Sequence, residues 1–118
     1  MAELQTLNLS HNQIQGISGG AFAEATSLRT IDLSANRITQ TGFAFSNLPD
    51  VQLLDLSSNK LFSLRPLLFK SFTETAEIRL QNNPLVADYR LCEALFNPQK
   101  AYVISFSQAE TFLQGQSL

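Results

Sequence analysis

Asp32, Asp55 and Arg79 recur along this chain at steps of 23 and 24 residues, and Asn8 precedes Asp32 by 24. Thr30, Leu53 and Glu77 keep the same steps two positions earlier. Gathered on one surface, these side chains would form a small polar site for a basic group on a protein ligand. Two aspartates one strand apart repel, and Arg79 beside Asp55 is the natural offset. The pair could act as general acid and base only if burial raised a carboxyl pKa, which an open surface does little to provide.

The remaining reactive residues make weaker constellations. Gly16-Ile17-Ser18-Gly19-Gly20 fits the G-x-S-x-G elbow, but that motif needs a His after the Ser, and the single His, His11, comes before it. One Cys cannot form an internal disulfide, and one His cannot build a multi-His metal centre, so neither metal nor cofactor is expected. Cys92 sits on an apolar stripe with nothing nearby to lower its pKa and reads as a small buried hydrophobe. No catalytic residue is assigned, and the chain reads as a non-enzyme.

The spacing of these residues follows from a repeat. Asn12, Asn36, Asn59 and Asn83 each close the template LxxLxLxxN. Its copies are Leu4-Leu7-Leu9-Asn12, Leu28-Ile31-Leu33-Asn36, Val51-Leu54-Leu56-Asn59 and the degenerate Thr75-Ile78-Leu80-Asn83. Apolar residues two apart put both side chains on one face of a short strand. One such strand cannot bury its face alone; stacked turns at ~4.8 Å join the leucines into a core. The Asn amide is suited to backbone groups where the chain leaves the strand, each costing ~1–3 kcal/mol if buried unpaired. Phe22, Phe45 and Phe69 form a second column that fills the far side of the turn. There, Gly-rich stretches such as residues 16–20 discourage a helix.

This pattern resembles the leucine-rich-repeat superfamily over Leu4 to about Leu85. The Phe column and repeat length look like the class in Toll-like and Slit-like ectodomains. The resemblance implies an α/β solenoid, a right-handed arc with a parallel sheet on its concave side. It also implies a concave surface that binds another protein. Asn8, Thr30, Asp32, Leu53, Asp55, Glu77 and Arg79 are the candidate contacts, and Asn12, Asn36, Asn59, Asn83, Phe22, Phe45 and Phe69 the repeat-defining residues. Asn8-Leu9-Ser10 is also an N-glycosylation sequon, so in a secreted chain a glycan at Asn8 would crowd that face.

Residues 1–85 therefore read as four repeats and residues 86–118 as a C-terminal cap. Asp88 can cap a helix carrying Leu91, Cys92, Leu95 and Phe96, Tyr102 to Phe106 reads as a strand, and a short helix is expected at 108–114. Residues 83–91 and 113–118 resemble the opening and close of the cysteine-rich C-terminal flank of extracellular members. Ala87, Tyr89 and Ser107 stand where its cysteines would be. Asp88-Tyr89-Arg90, Phe96 and Pro98-Gln99 resemble instead the cysteine-free cap of intracellular members. The first resemblance implies extracellular or cell-surface ancestry, as a C-terminal fragment of a receptor or adhesion protein. The second implies a cytoplasmic or nuclear scaffold. Met1-Ala2-Glu3 before Leu4 does not read as a secretory leader, which fits either an intracellular chain or a fragment whose Met1 was added.

Composition narrows the partners. Eight basic against ten acidic residues give a net charge of -2, which is not the clustered charge that nucleic acid requires. Hydrophobic residues make up 44%, too many for a disordered tail, yet no apolar run approaches the ~20 residues of a membrane span. Leu4 opens the first repeat without a cap. Its layer is expected to expose apolar surface and a free strand edge, through which the chain could self-associate.

Overall fold

The computed structural model describes residues 3–46, 48–64, 72 and 76–86, and the backbone of 101–103. Each repeat contributes a three-residue strand: β1 (Thr6–Asn8), β2 (Thr30–Asp32), β3 (Leu53–Asp55) and β4 (Glu77–Arg79). A fifth, β5 (Ala101–Val103), lies in the segment expected to form the cap and pairs with β4. The order is β1-β2-β3-β4-β5, and every pairing is parallel. Parallel neighbours need a long crossover, and here each crossover is the rest of a repeat. The result is a solenoid-like arc.

The middle residue of β2, β3 and β4 faces inward. Ile31, Leu54 and Ile78 are fully buried, joined by Leu33, Leu56 and Leu80 from the next inward position. Ile38, Leu61 and Leu85 close the turn behind them. Burying one such side chain contributes ~1.5–3 kcal/mol. The first repeat is the exception. Leu4, Leu7, Leu9, Ile14 and Ile17 are only partly buried, since no turn among the described residues covers their outer side.

Asparagine ties the turns together in one direction. Asn36 Nδ2 donates to the Leu33 and Ser34 carbonyls of its own repeat and to the Leu9 carbonyl of the previous one, at 3.0 to 3.2 Å. Its Oδ1 accepts from the Ile14 N–H at 3.1 Å. Asn59 repeats this with Leu56, Ser57, Leu33 and the Ile38 N–H. Asn83 does so with Leu80, Gln81, Leu56 and the Leu61 N–H. Among the described residues Asn12 reaches only Leu9 and Ser10 of its own turn, and it is exposed.

The residue before each of these asparagines turns the chain out of the strand. His11, Ala35, Ser58 and Asn82 all have φ between 56° and 61°. The left-handed bend aims the backbone N–H sideways: His11 donates to the Ser34 carbonyl, Ala35 to Ser57 and Ser58 to Gln81, at 2.9 to 3.0 Å. Such a φ costs a residue with a Cβ ~1–2 kcal/mol. Asn relieves part of that cost through local hydrogen bonding, and Ala cannot.

On the convex side Phe22 stacks on Phe45 with ring centres 5.9 Å apart, and Phe45 meets Phe72 edge-on at 6.1 Å. The third ring of the observed stack is thus Phe72. Phe69, which the even step places in this column, lies outside the described residues. So do Thr75, Cys92 and the expected helices at 88–96 and 108–114. The described part shows no helical cap.

Two predictions follow from the ladder. Asn59→Ala should destabilise the fold by about 2–4 kcal/mol, since it removes the partner of the Ile38 N–H and of the three buried carbonyls of Leu33, Leu56 and Ser57, whereas Asn12→Ala should cost less than about 1 kcal/mol. Urea unfolding of both variants measures the gap; equal losses would contradict the ladder. Ala35→Gly should stabilise by about 0.5–1 kcal/mol, the left-handed strain exceeding the entropy cost of Gly. A lower melting temperature would contradict that assignment.

Candidate protein-binding face

The strand register sets two straight rows on the concave face. One runs Thr6, Thr30, Leu53, Glu77, and the other Asn8, Asp32, Asp55, Arg79. The seven candidate contacts named from sequence therefore lie on neighbouring strands in these rows. Flanking them is a third row, Ser10, Ser34, Ser57 and Gln81, just past the strand ends.

This third row fixes the acids. Asp32 Oδ1 accepts from the Ser34 N–H at 3.0 Å and from its hydroxyl at 2.7 Å. Asp55 Oδ1 accepts the same pair from Ser57 at 3.0 and 2.6 Å. Asn8 Oδ1 takes them from Ser10 at 3.0 and 2.7 Å. One oxygen of each side chain is thus anchored by its own strand end. The second atom, Oδ2 or Nδ2, is the one left for a neighbour or a ligand. Sequence reasoning placed these serines in a row but missed this role. The Asp-x-Ser spacing was the available signal, since a carboxylate commonly bonds the backbone two residues on.

Arg79 answers the acids from the far end of the row. Its Nη1 lies 3.8 Å from Asp55 Oδ2, and its Nε donates to Glu77 Oε2. The Glu77 hydrogen bond is the main cause of an Arg79 pKa raised above its usual value; the charges of Glu77, Asp55 and Asp32 add to it, and partial burial opposes it. Because the guanidinium is two-fifths exposed, its ion pairs contribute little to stability, ~1 kcal/mol or less each. They do orient the side chain. Glu77 was named as a contact, but its bond to Arg79 was not read from sequence, although alternation puts residues two apart on one face.

The charges do not cancel. Three carboxylates, Asp32, Asp55 and Glu77, face one guanidinium, which leaves two negative charges in excess. Asp32 lies two strands from Arg79 and keeps its Oδ2 for solvent or a ligand. Leu53, half-buried, offers an apolar surface between Thr30 and Glu77. At the fourth repeat Gln81 replaces the anchoring serine, and its buried Oε1 has no hydrogen-bond partner among the described residues.

Ser18 is exposed in the convex loop, and His11 is exposed at the end of the first strand. Among the described residues no group of three or more His, Cys, Asp and Glu is placed to hold a metal ion. No described helix is long and apolar enough to cross a membrane.

Comparison with known proteins agrees with the repeat. Residues 1–38 match the family model described as leucine rich repeat. The chain is 45% identical over 62 residues to the leucine-rich repeat-containing G-protein coupled receptor 5 of Rattus norvegicus, covering 52% of this chain and 7% of the receptor. It is 38% identical over 95 residues to Tsukushi of Xenopus tropicalis, covering 76% of this chain and 26% of that protein. It is 34% identical over 82 residues to Toll-like receptor 2 type-1 of Gallus gallus, covering 69% and 10%. The chain thus spans about a quarter or less of the length of these relatives. The periodic template, the asparagine ladder, the all-parallel sheet and these matches agree: the chain belongs to the leucine-rich-repeat superfamily.

Proposed function

We propose that this chain is a non-catalytic protein-recognition module of an extracellular-type leucine-rich-repeat receptor or adhesion protein. Its ligand lies on the concave sheet, against Asn8, Thr30, Asp32, Leu53, Asp55, Glu77 and Arg79. The observation that carries this reading is the anchored, net-negative row. Asp32 and Asp55 are each held by two hydrogen bonds from a serine, so their outer oxygens are fixed in place before a ligand arrives. Preorganised acceptors lose little entropy on binding. A ligand bearing Arg or Lys, with an apolar neighbour for Leu53, fits the charge and shape. The relatives named as receptors support the cell-surface setting. In that setting Asn8 is also a glycan acceptor, which would steer the ligand toward repeats two to four. A cytoplasmic or nuclear scaffold that docks through its first repeat is the second reading; the partly exposed layer of Leu4, Leu7 and Leu9 favours it.

Selection of displayed random peptides on the immobilised chain tests the charge reading. Selected peptides should be enriched in Arg and Lys. The Asp32→Asn, Asp55→Asn double variant should bind them at least tenfold more weakly, about 1.4 kcal/mol, with an unchanged melting temperature. Added salt should weaken binding as well. Peptides without basic residues, or binding indifferent to the double variant, would sink the proposal.

A further inference from the structure

A second face runs beside the concave one, just past the asparagines. There Ile38, Leu61 and Leu85 are buried, and the residues on either side of each are exposed. Backbone hydrogen bonds between turns hold these segments in step. Arg37 N–H donates to the Ile14 carbonyl at 2.8 Å, Lys60 N–H to Ile38 at 2.9 Å and Val86 N–H to Phe62 at 2.9 Å. The exposed positions therefore stack in two rows on the flank of the arc, each turn ~4.8 Å from the next. One row is Gln13, Arg37, Lys60, Pro84, and the other Gln15, Thr39, Phe62, Val86.

The rows change character along the arc. Gln13, Gln15 and Thr39 are polar, whereas Phe62 and Val86 are apolar and stay 52% and 51% exposed. Among the described residues only three large hydrophobic side chains are this open, and two of them are these neighbours. A lone exposed apolar side chain is ordinary, but contiguous ones mark an interaction site. Arg37 and Lys60 stand one turn apart beside this apolar pair. Neither forms an ion pair with a described residue, since both described ion pairs belong to Arg79. Asp32, Asp55 and Glu77 lie on the concave face instead. The flank thus holds two uncompensated positive charges next to exposed apolar surface.

We propose that this flank is a second binding surface and that it takes an acidic protein segment. Carboxylates would meet Arg37 and Lys60, and an adjoining aliphatic or aromatic side chain would pack on Phe62 and Val86. Charge complementarity selects the acidic partner. The apolar pair selects a protein over a purely anionic polymer, which would leave Phe62 and Val86 uncovered. A lipid surface fits less well, because attraction to anionic headgroups uses clusters of about 4–8 Lys and Arg. The charge of the flank is opposite to that of the concave row, so the two faces select different ligands. The inference uses none of the concave-face contacts and stands apart from that reading. It makes the chain a bridge between a basic partner and an acidic one.

Random peptides displayed for selection on the full chain, with counter-selection on the Lys60→Gln, Phe62→Gln double variant, test the proposal. The first repeat already carries Gln13 and Gln15 at these two positions, so the variant should keep its melting temperature. The surviving peptides should carry Asp or Glu beside Leu, Phe or Trp. A synthetic copy should bind the double variant at least tenfold more weakly, lose affinity in added salt, and bind the Asp32→Asn, Asp55→Asn variant as it binds the parent chain. If the double variant melts early, Arg37→Gln alone should still weaken binding at least threefold, and an unchanged affinity would count against the flank. Survivors that are basic or uncharged, or no survivors, would overturn the proposal. Acidic peptides that need Asp32 and Asp55 would place the contact on the concave face and overturn it too. Phosphatidylserine vesicles that bind through Lys60 and Phe62, where no acidic peptide does, would replace the protein ligand by a membrane and equally overturn it.

Discussion

The asparagine amide that reaches back one turn is the interaction on which the rest of this structure depends. Asn36, Asn59 and Asn83 each bond their own strand end and, at the same time, the carbonyl and N–H of the repeat before. A turn therefore cannot slip relative to its neighbour without orphaning several buried backbone groups. The register of the sheet follows, and so does the stacking of leucines beneath it. The bond also has a direction. It completes repeat one from repeat two and repeat two from repeat three, and it leaves the outer side of repeat one with exposed Asn12 and half-covered leucines.

Locked register is what turns a sequence repeat into a surface. Residues a full repeat apart become neighbours on adjacent strands, so a chemical type used at one repeat position becomes a row. Across the four repeats the row at the Asn8 position is polar, with two aspartates and one arginine, and serine two residues on holds Asp32 and Asp55 each by one oxygen. Arg79 closes the row with a guanidinium shared between Asp55 and Glu77. The sheet is open to solvent and its polar groups are fixed by short local bonds. Such a surface is suited to recognition, where preorganisation counts, and it lacks the enclosed setting that general acid–base chemistry uses.

Much of this was legible in the residues because the period is strong. The placement of Asp32 beside Asp55 and Arg79 needed only the 23- and 24-residue steps. Other features broke the period or lay outside it. Phe72 joins the aromatic stack although it falls 27 residues after Phe45; the third loop carries Phe62, Phe69 and Phe72, and the repeat step alone pointed to Phe69, which lies outside the described residues. The Glu77 bond to Arg79 runs along one strand, where a search across repeats does not look. Strand β5 at Ala101–Val103 carries no leucine template; Tyr102 to Phe106 suggested a strand, but only pairing with Glu77–Arg79 shows that it extends the sheet. The sequence also treats Asn12 and Asn59 alike. Their environments differ because Asn59 packs against a described repeat before it, whereas Asn12 bonds only its own turn among the described residues.

Amide hydrogen exchange of the monomer at low concentration tests the directional ladder most directly. The Ile38 and Leu61 amides, each donating to an asparagine inside a covered turn, should be the most protected, and the Ile14 amide should exchange sooner through local opening of the first repeat. Protection that rises from repeat one to repeat three is the result this account predicts. Uniform protection, or a first repeat that opens last, would contradict it.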